Sequence, residues 1–233
     1  MDDKNLEKKI KNIIQDMGQD IRSMWEPLYA LSQILCPQIA AIANLVFQST
    51  NQRIESNRKL FFKELDKNPR LTEEIITSDI FIERFTITHK AVMETYKEEK
   101  IRCFAKFLIG SSNDHSLDID IYEELLKKIV ELSNREMAIL SKLYTYENKH
   151  LDKENAINPN VISNYWNKFI EDIHNQYYIE KEEIEAILIS TSRTGCYKEL
   201  TGAFRSYSGG LGTLTPIFYK IVDYIKDYDT VNQ

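Results

Sequence analysis

Residues 118–144, DIDIYEELLKKIVELSNREMAILSKLY, decide the fold class. Ile121, Leu125, Ile129 and Leu132 recur at spacings of three and four, which lines them along one face of a helix with about 3.6 residues per turn. Ser133-Asn-Arg-Glu136 follows at capping-box spacing, in which hydroxyl and carboxylate each satisfy a backbone donor at a helix start. A second helix then runs through Met137, Leu140 and Tyr144. Two amphipathic helices joined by a cap predict a helical protein. The composition agrees: 7 Gly and 5 Pro in 233 residues leave long Leu/Ile/Lys/Glu-rich runs, and 42% hydrophobic residues can fill a core.

Toward the N-terminus the pattern continues. Ile101, Phe104, Ala105 and Leu108 form an apolar face, closed by Gly110-Ser-Ser-Asn-Asp114, which reads as a loop. Phe81, Phe85 and Val92 mark the buried face of a helix that Ser78 or Asp79 can cap. Residues 53–67 form an amphipathic helix ending before Asn68-Pro69, with a short helix near 71–77. Leu6, Ile10, Ile13, Met17, Ile21 and Met24 trace a narrow seam of the kind that seeks a partner helix.

Between that seam and Arg53, residues 27–52 (PLYALSQILCPQIAAIANLVFQSTNQ) carry no charge, although 28% of the chain is Asp, Glu, Lys or Arg. The run is long enough to cross a bilayer, but Gln33, Pro37, Gln38 and Asn44 interrupt it, and a lone amide is costly in lipid. A buried helical hairpin bent near Pro37 is therefore favoured over conditional membrane contact. Its apolar side chains Leu28, Leu31, Ile39, Ile42, Leu45 and Val46 are the candidates for an interaction surface with a protein partner or a second copy.

Toward the C-terminus, polar residues 147–160 read as a linker. Residues 161–174 form an aromatic-rich helix through Tyr165, Trp166, Phe169 and Ile173, and residues 182–194 a second one closed by Gly195. Residues 196–200 and 202–207 are expected to pair as a hairpin, with the glycines of 208–212 as a flexible turn. Thr215-Pro216 starts a last helix lined by Phe218, Ile221, Val222 and Ile225. Helix, helix, hairpin, helix is a winged-helix order. The expected fold is mainly α: a multi-helix domain over 1–146, a linker over 147–160, and a winged-helix-like domain with a short β-hairpin over 161–233.

Charge and motifs narrow the function. The net charge is −6 with a pI near 5.4, so the whole chain presents no positive field to nucleic acid. Residues 161–233 hold seven Lys or Arg against ten Asp or Glu, and only a local patch of Arg193, Lys198 and Arg205 could contact phosphates. Cys36, Cys103 and Cys196 lie far apart and are odd in number, which suits reduced thiols; with no secretory signal in MDDKNLEKKI, a cytoplasmic protein is expected, with peripheral membrane contact as an option. No metal-ligand spacing, phosphate loop or nucleophile elbow occurs, so no metal and no cofactor are expected.

One pair looks catalytic. Arg84 and His89 resemble the Arg-x4-His pattern of the helical HEPN ribonucleases, and that resemblance would make His89 the acid/base and Arg84 the phosphate stabiliser. A second resemblance covers most of the chain. The uncharged run ending in Asn51-Gln-Arg-Ile-Glu55, the stretches Phe81-Ile-Glu-Arg-Phe85 and Glu98-Glu-Lys-Ile-Arg-Cys-Phe-Ala-Lys-Phe-Leu108, and Leu214-Thr-Pro216 together resemble the bacterial abortive-infection alpha (Abi-alpha) family. This resemblance implies a role in conflict with bacteriophages or mobile elements, and it transfers no catalytic residue. The expected function is a non-enzymatic helical interaction protein, with a nucleic-acid-binding regulator and a ribonuclease as alternatives.

Overall fold

A computed structural model describes residues 37–66, 68, 70–150, 159–200 and 211–229, with the backbone alone at 37–48, 73, 160 and 227–229. Among these residues the protein is mainly helical, with a single two-stranded antiparallel sheet. The α-helices are α1 (Pro37–Asp66), α2 (Glu73–Ile76), α3 (Asp79–Glu94), α4 (Glu98–Ser111), α5 (Ile119–Glu131), α6 (Asn134–His150), α7 (Pro159–Tyr177), α8 (Lys181–Thr191) and α9 (Pro216–Asp229). A 3₁₀ turn (Ser192–Thr194) and strands β1 (Tyr197–Glu199) and β2 (Gly212–Leu214) connect α8 to α9. The chain divides into two compact units, 1–56 and 57–233.

Within the second unit, α4 packs against α3, α5 and α9, and α6 packs against α7, α8 and β2. Ile101, Phe104, Ala105, Phe107, Leu108 and Ile109 are all buried, so α4 is apolar on most of its circumference. The local signals hold. Ser78 accepts from the Phe81 amide at 3.2 Å. Ser133 accepts from the Glu136 amide at 3.1 Å while Glu136 accepts from the Ser133 amide at 2.7 Å, which closes the capping box. Gly195 ends the 3₁₀ turn in the left-handed region at φ 71°, where glycine meets no Cβ penalty.

Several expectations change in detail. Residues 53–66 are not a separate helix but the end of α1. Gly110 lies inside α4 rather than in a loop, because α9 comes so close that a Cβ there would overlap the Tyr224 carbonyl. On α5 the inward side chain is Tyr122, and Ile121 is 42% exposed. The strand paired with β1 is Gly212–Leu214, in the register Tyr197↔Leu214 and Glu199↔Gly212; residues 202–207 lie outside the described residues.

The polar segment 147–160 also reads differently. Its first four residues complete α6 and its last two begin α7, with 151–158 outside the described residues. Glu147 shares the buried face with Leu140 and Leu143, at i+7 and i+4, since three donors reach its carboxylate inside the core. The N-terminal seam, Leu28, Leu31 and Arg205 lie outside the described residues. Ile39, Ile42, Leu45 and Val46 fall on the helical backbone of α1.

Candidate functional site

The catalytic-looking pair sits on α3. Residues five apart on a helix are rotated by about 140° from each other, so Arg84 and His89 need not converge, and they do not share a partner. Arg84, 1% exposed, donates to the carbonyls of Ser111 at 2.5 Å, Asp114 at 3.0 Å and Leu117 at 2.5 Å. Its guanidinium also lies 5.4 Å from the centre of the Tyr122 ring. Burial pushes its pKa down, and the neighbouring Tyr122 and Asp114 oppose that shift. Arg84 therefore caps the carbonyl end of α4, where a cation also meets the negative end of the helix dipole.

His89 is fully buried among the rings of Phe85, Phe62 and Phe61, with centroids 5.6, 6.3 and 6.4 Å away. Neither ring nitrogen has a hydrogen-bond partner. Burial, and secondarily the charge of Arg58, push it down to about 4, so the ring is neutral near pH 7. A general acid/base must reach the reacting group, and a phosphate stabiliser must reach a phosphate. In this arrangement both side chains are enclosed by protein and neither can do so.

Arg193, a candidate for phosphate contact, is engaged internally. Its guanidinium forms a two-pronged pair with Glu136, Nη1 to Oε1 at 2.5 Å and Nη2 to Oε2 at 3.0 Å, and also donates to the carbonyls of Ser190 and Glu131. Burial alone would raise the Glu136 carboxyl, but Arg193 and the Ser133 amide and hydroxyl outweigh it and hold it at about 2. The pair ties the 3₁₀ turn after α8 to the α5–α6 corner. Arg193→Ala is expected to lower stability by about 1–2 kcal/mol, since the arginine is half exposed while the carboxylate it leaves is buried. Urea denaturation checks this, and an unchanged midpoint would show that Ser133 and Thr191 suffice to hold Glu136. Lys198 is exposed on β1 and remains accessible to a partner.

A second polar cluster was not foreseen. Glu147 accepts from the Thr213 hydroxyl at 2.8 Å, the Leu214 amide at 3.0 Å and the Tyr219 hydroxyl at 2.5 Å, which fastens β2 and α9 to α6. Burial pushes its carboxyl up, against the pull of those donors, and burial raises the neighbouring Tyr219 and Tyr165 hydroxyls as well. The signal that could have found Glu147 is its place on the Leu140–Leu143 face.

A pocket of about 460 Å³ opens where α3 and α5 end and α4 and α6 begin, lined by Thr95, Lys97, Lys100, Phe104, Val130 and Asn134 among others. That volume suits a small ligand. Helix ends of opposite sign meet there, two of each, so their dipoles largely cancel. Lys100 donates to the Val130 carbonyl at 2.5 Å, and Glu94 and Lys97 bring one charge of each sign to the lining.

Among the described residues no three His, Cys, Asp or Glu side chains are grouped to hold a metal ion, and no helix is long and apolar enough to cross a membrane. No protein-family model, curated protein or solved structure matches the chain.

Proposed function

We propose that this chain is a non-enzymatic helical interaction protein of a phage-defence type, cytoplasmic or peripheral to the membrane, acting through apolar helices on a partner protein or on lipid. The observation that carries the reading is the charge-free run 27–52 in a chain with 28% charged residues. Such a run needs cover of low polarity, from its own fold, a partner or a membrane. The burial of Arg84 and His89 removes the chemical foothold of the ribonuclease reading and so supports a role without catalysis.

The test is a paired substitution in α1, Leu45→Asp with Val46→Asp, compared with wild type by light scattering, liposome flotation and phage challenge. Wild type is expected to self-associate, to float with liposomes or to restrict phage, and the variant to lose that property. A monomeric, lipid-indifferent wild type whose variant behaves identically in phage challenge removes the basis of the proposal.

A second reading treats the C-terminal segment as a winged helix that binds nucleic acid. The order α7, α8, β1, β2, α9 and the exposed Lys198 favour it; the internal pairing of Arg193 and the acidic balance of 161–233 weigh against it. A gel-shift titration over a salt series decides it, because phosphate contacts weaken as salt rises. Absence of any shift at low salt ends this reading.

A further inference from the structure

We propose that the last turns of α1, residues 57–66, are a releasable latch on α3, closed over the unpartnered imidazole of His89. Asn57, Phe61 and Leu65 recur every four residues and form the buried face of this segment. Asn57 Nδ2 donates to the carbonyls of Val92 and Thr95, both at 2.9 Å, and so caps the open end of α3. Arg58 reaches the Met93 sulfur at 3.6 Å, and Phe61 and Phe62 cover His89.

Closing the latch thus has a built-in cost. Both imidazole nitrogens give up water and gain no hydrogen bond, and the closed form disfavours the protonated ring. The charged groups around it do not offset this. Arg58 on α1 opposes protonation, and Glu64 on α1 is held by Arg102 of α4 at 2.7 Å. On α3, Arg84 faces the 111–117 carbonyls and Lys90 is exposed. Cys103 of α4 stays a neutral thiol, because burial pushes it up to about 12.

The direction of the pH effect follows. In the open form His89 has its ordinary value of roughly 6.5, and in the closed form about 4. Between those values the open form takes up a proton that the closed form refuses, so the latch is tightest above pH 6.5 and loosens as pH falls toward 4. Opening is expected to become roughly 50-fold more favourable between pH 7 and 4.5. The same helix, α1, carries residues 37–52 of the charge-free run; the purpose of release rests on the function proposed above, while the latch itself does not.

Hydrogen exchange on the full chain, corrected for intrinsic rates, tests it. Amides of 57–66 are expected to lose protection about 50-fold from pH 7 to 4.5, while those of α4 keep theirs. His89→Phe, which fills the cage with a ring that cannot titrate, is expected to abolish that loss. The carbon resonances of His89 in the wild type give a second measure that needs no variant, with a midpoint below 5 expected. A midpoint near 6.5, equal loss in His89→Phe, or parallel loss in α4 and 57–66 overturns the proposal. Because no readout depends on liposomes or phage, a latch without a partner and a partner without a latch give different results.

Discussion

Arg84→Met is expected to lower the free energy of unfolding by about 3 kcal/mol, since each buried acceptor left without a donor costs roughly 1–3 kcal/mol and the variant no longer buries a guanidinium. Methionine fills most of the space, so the loss isolates the polar contribution. Three carbonyls, of Ser111, Asp114 and Leu117, lose the donor that gathers them at the end of α4. Swapping a whole buried ion pair for apolar residues can be neutral, but here the acceptors are backbone and stay behind. Arg84→Lys should recover only part of the loss, because a single ammonium cannot reproduce the planar fork that spans three oxygens. Urea denaturation of both variants checks the order. A loss under about 1 kcal/mol for Arg84→Met would falsify the capping role, since it would mean that water reaches those carbonyls.

Gly110→Ala is expected to be destabilising by about 3 kcal/mol, at the upper end of overpacking, although alanine in an exposed helix gains about 1 kcal/mol over glycine. The neighbours of the added methyl are backbone atoms of α9, with the carbonyl carbon of Tyr224 at 2.7 Å and its Cα at 3.1 Å, so no side chain can turn aside. Relief requires α9 to move away from α4. That motion would open the edge-to-face contact of Phe107 with Tyr224, 5.7 Å between ring centres, and the 2.6 Å hydrogen bond from the Tyr224 hydroxyl to Asp114. Near-ultraviolet circular dichroism and the denaturation midpoint should change together. A stabilised Gly110→Ala would mean that the close approach of α4 and α9 is absent in solution.

The features legible in the sequence are those set by neighbours within a turn or two. Ser78 and Ser133 with Glu136 declare their helix starts because a cap acts over three residues, and Thr215-Pro216 does the same for α9. The apolar periodicity of α4 and α7 located their buried faces. Side chains whose partners lie far along the chain were misread. Arg193 looked like a free cation because Glu136 is 57 positions away, and Glu147 looked like linker because Thr213, Leu214 and Tyr219 are 66 to 72 positions away. Arg84 and His89 looked like an active pair because spacing along a helix does not reveal burial. Gly110 read as a turn since a helical glycine that admits another backbone has the same local signature as one that breaks the helix.

The pairing of α4 with α9 bears on how the chain is made. Tyr224 and Asp114 are 110 positions apart, so during synthesis the groove on α4 is complete long before the helix that fills it exists. At about 5–20 residues per second that interval lasts roughly 5–20 s, ample time for Phe107 and its neighbours to meet a chaperone or another nascent chain. A ribosome stalled between α6 and α9 would hold a chain that has most of its helices and still shows an unfilled seam.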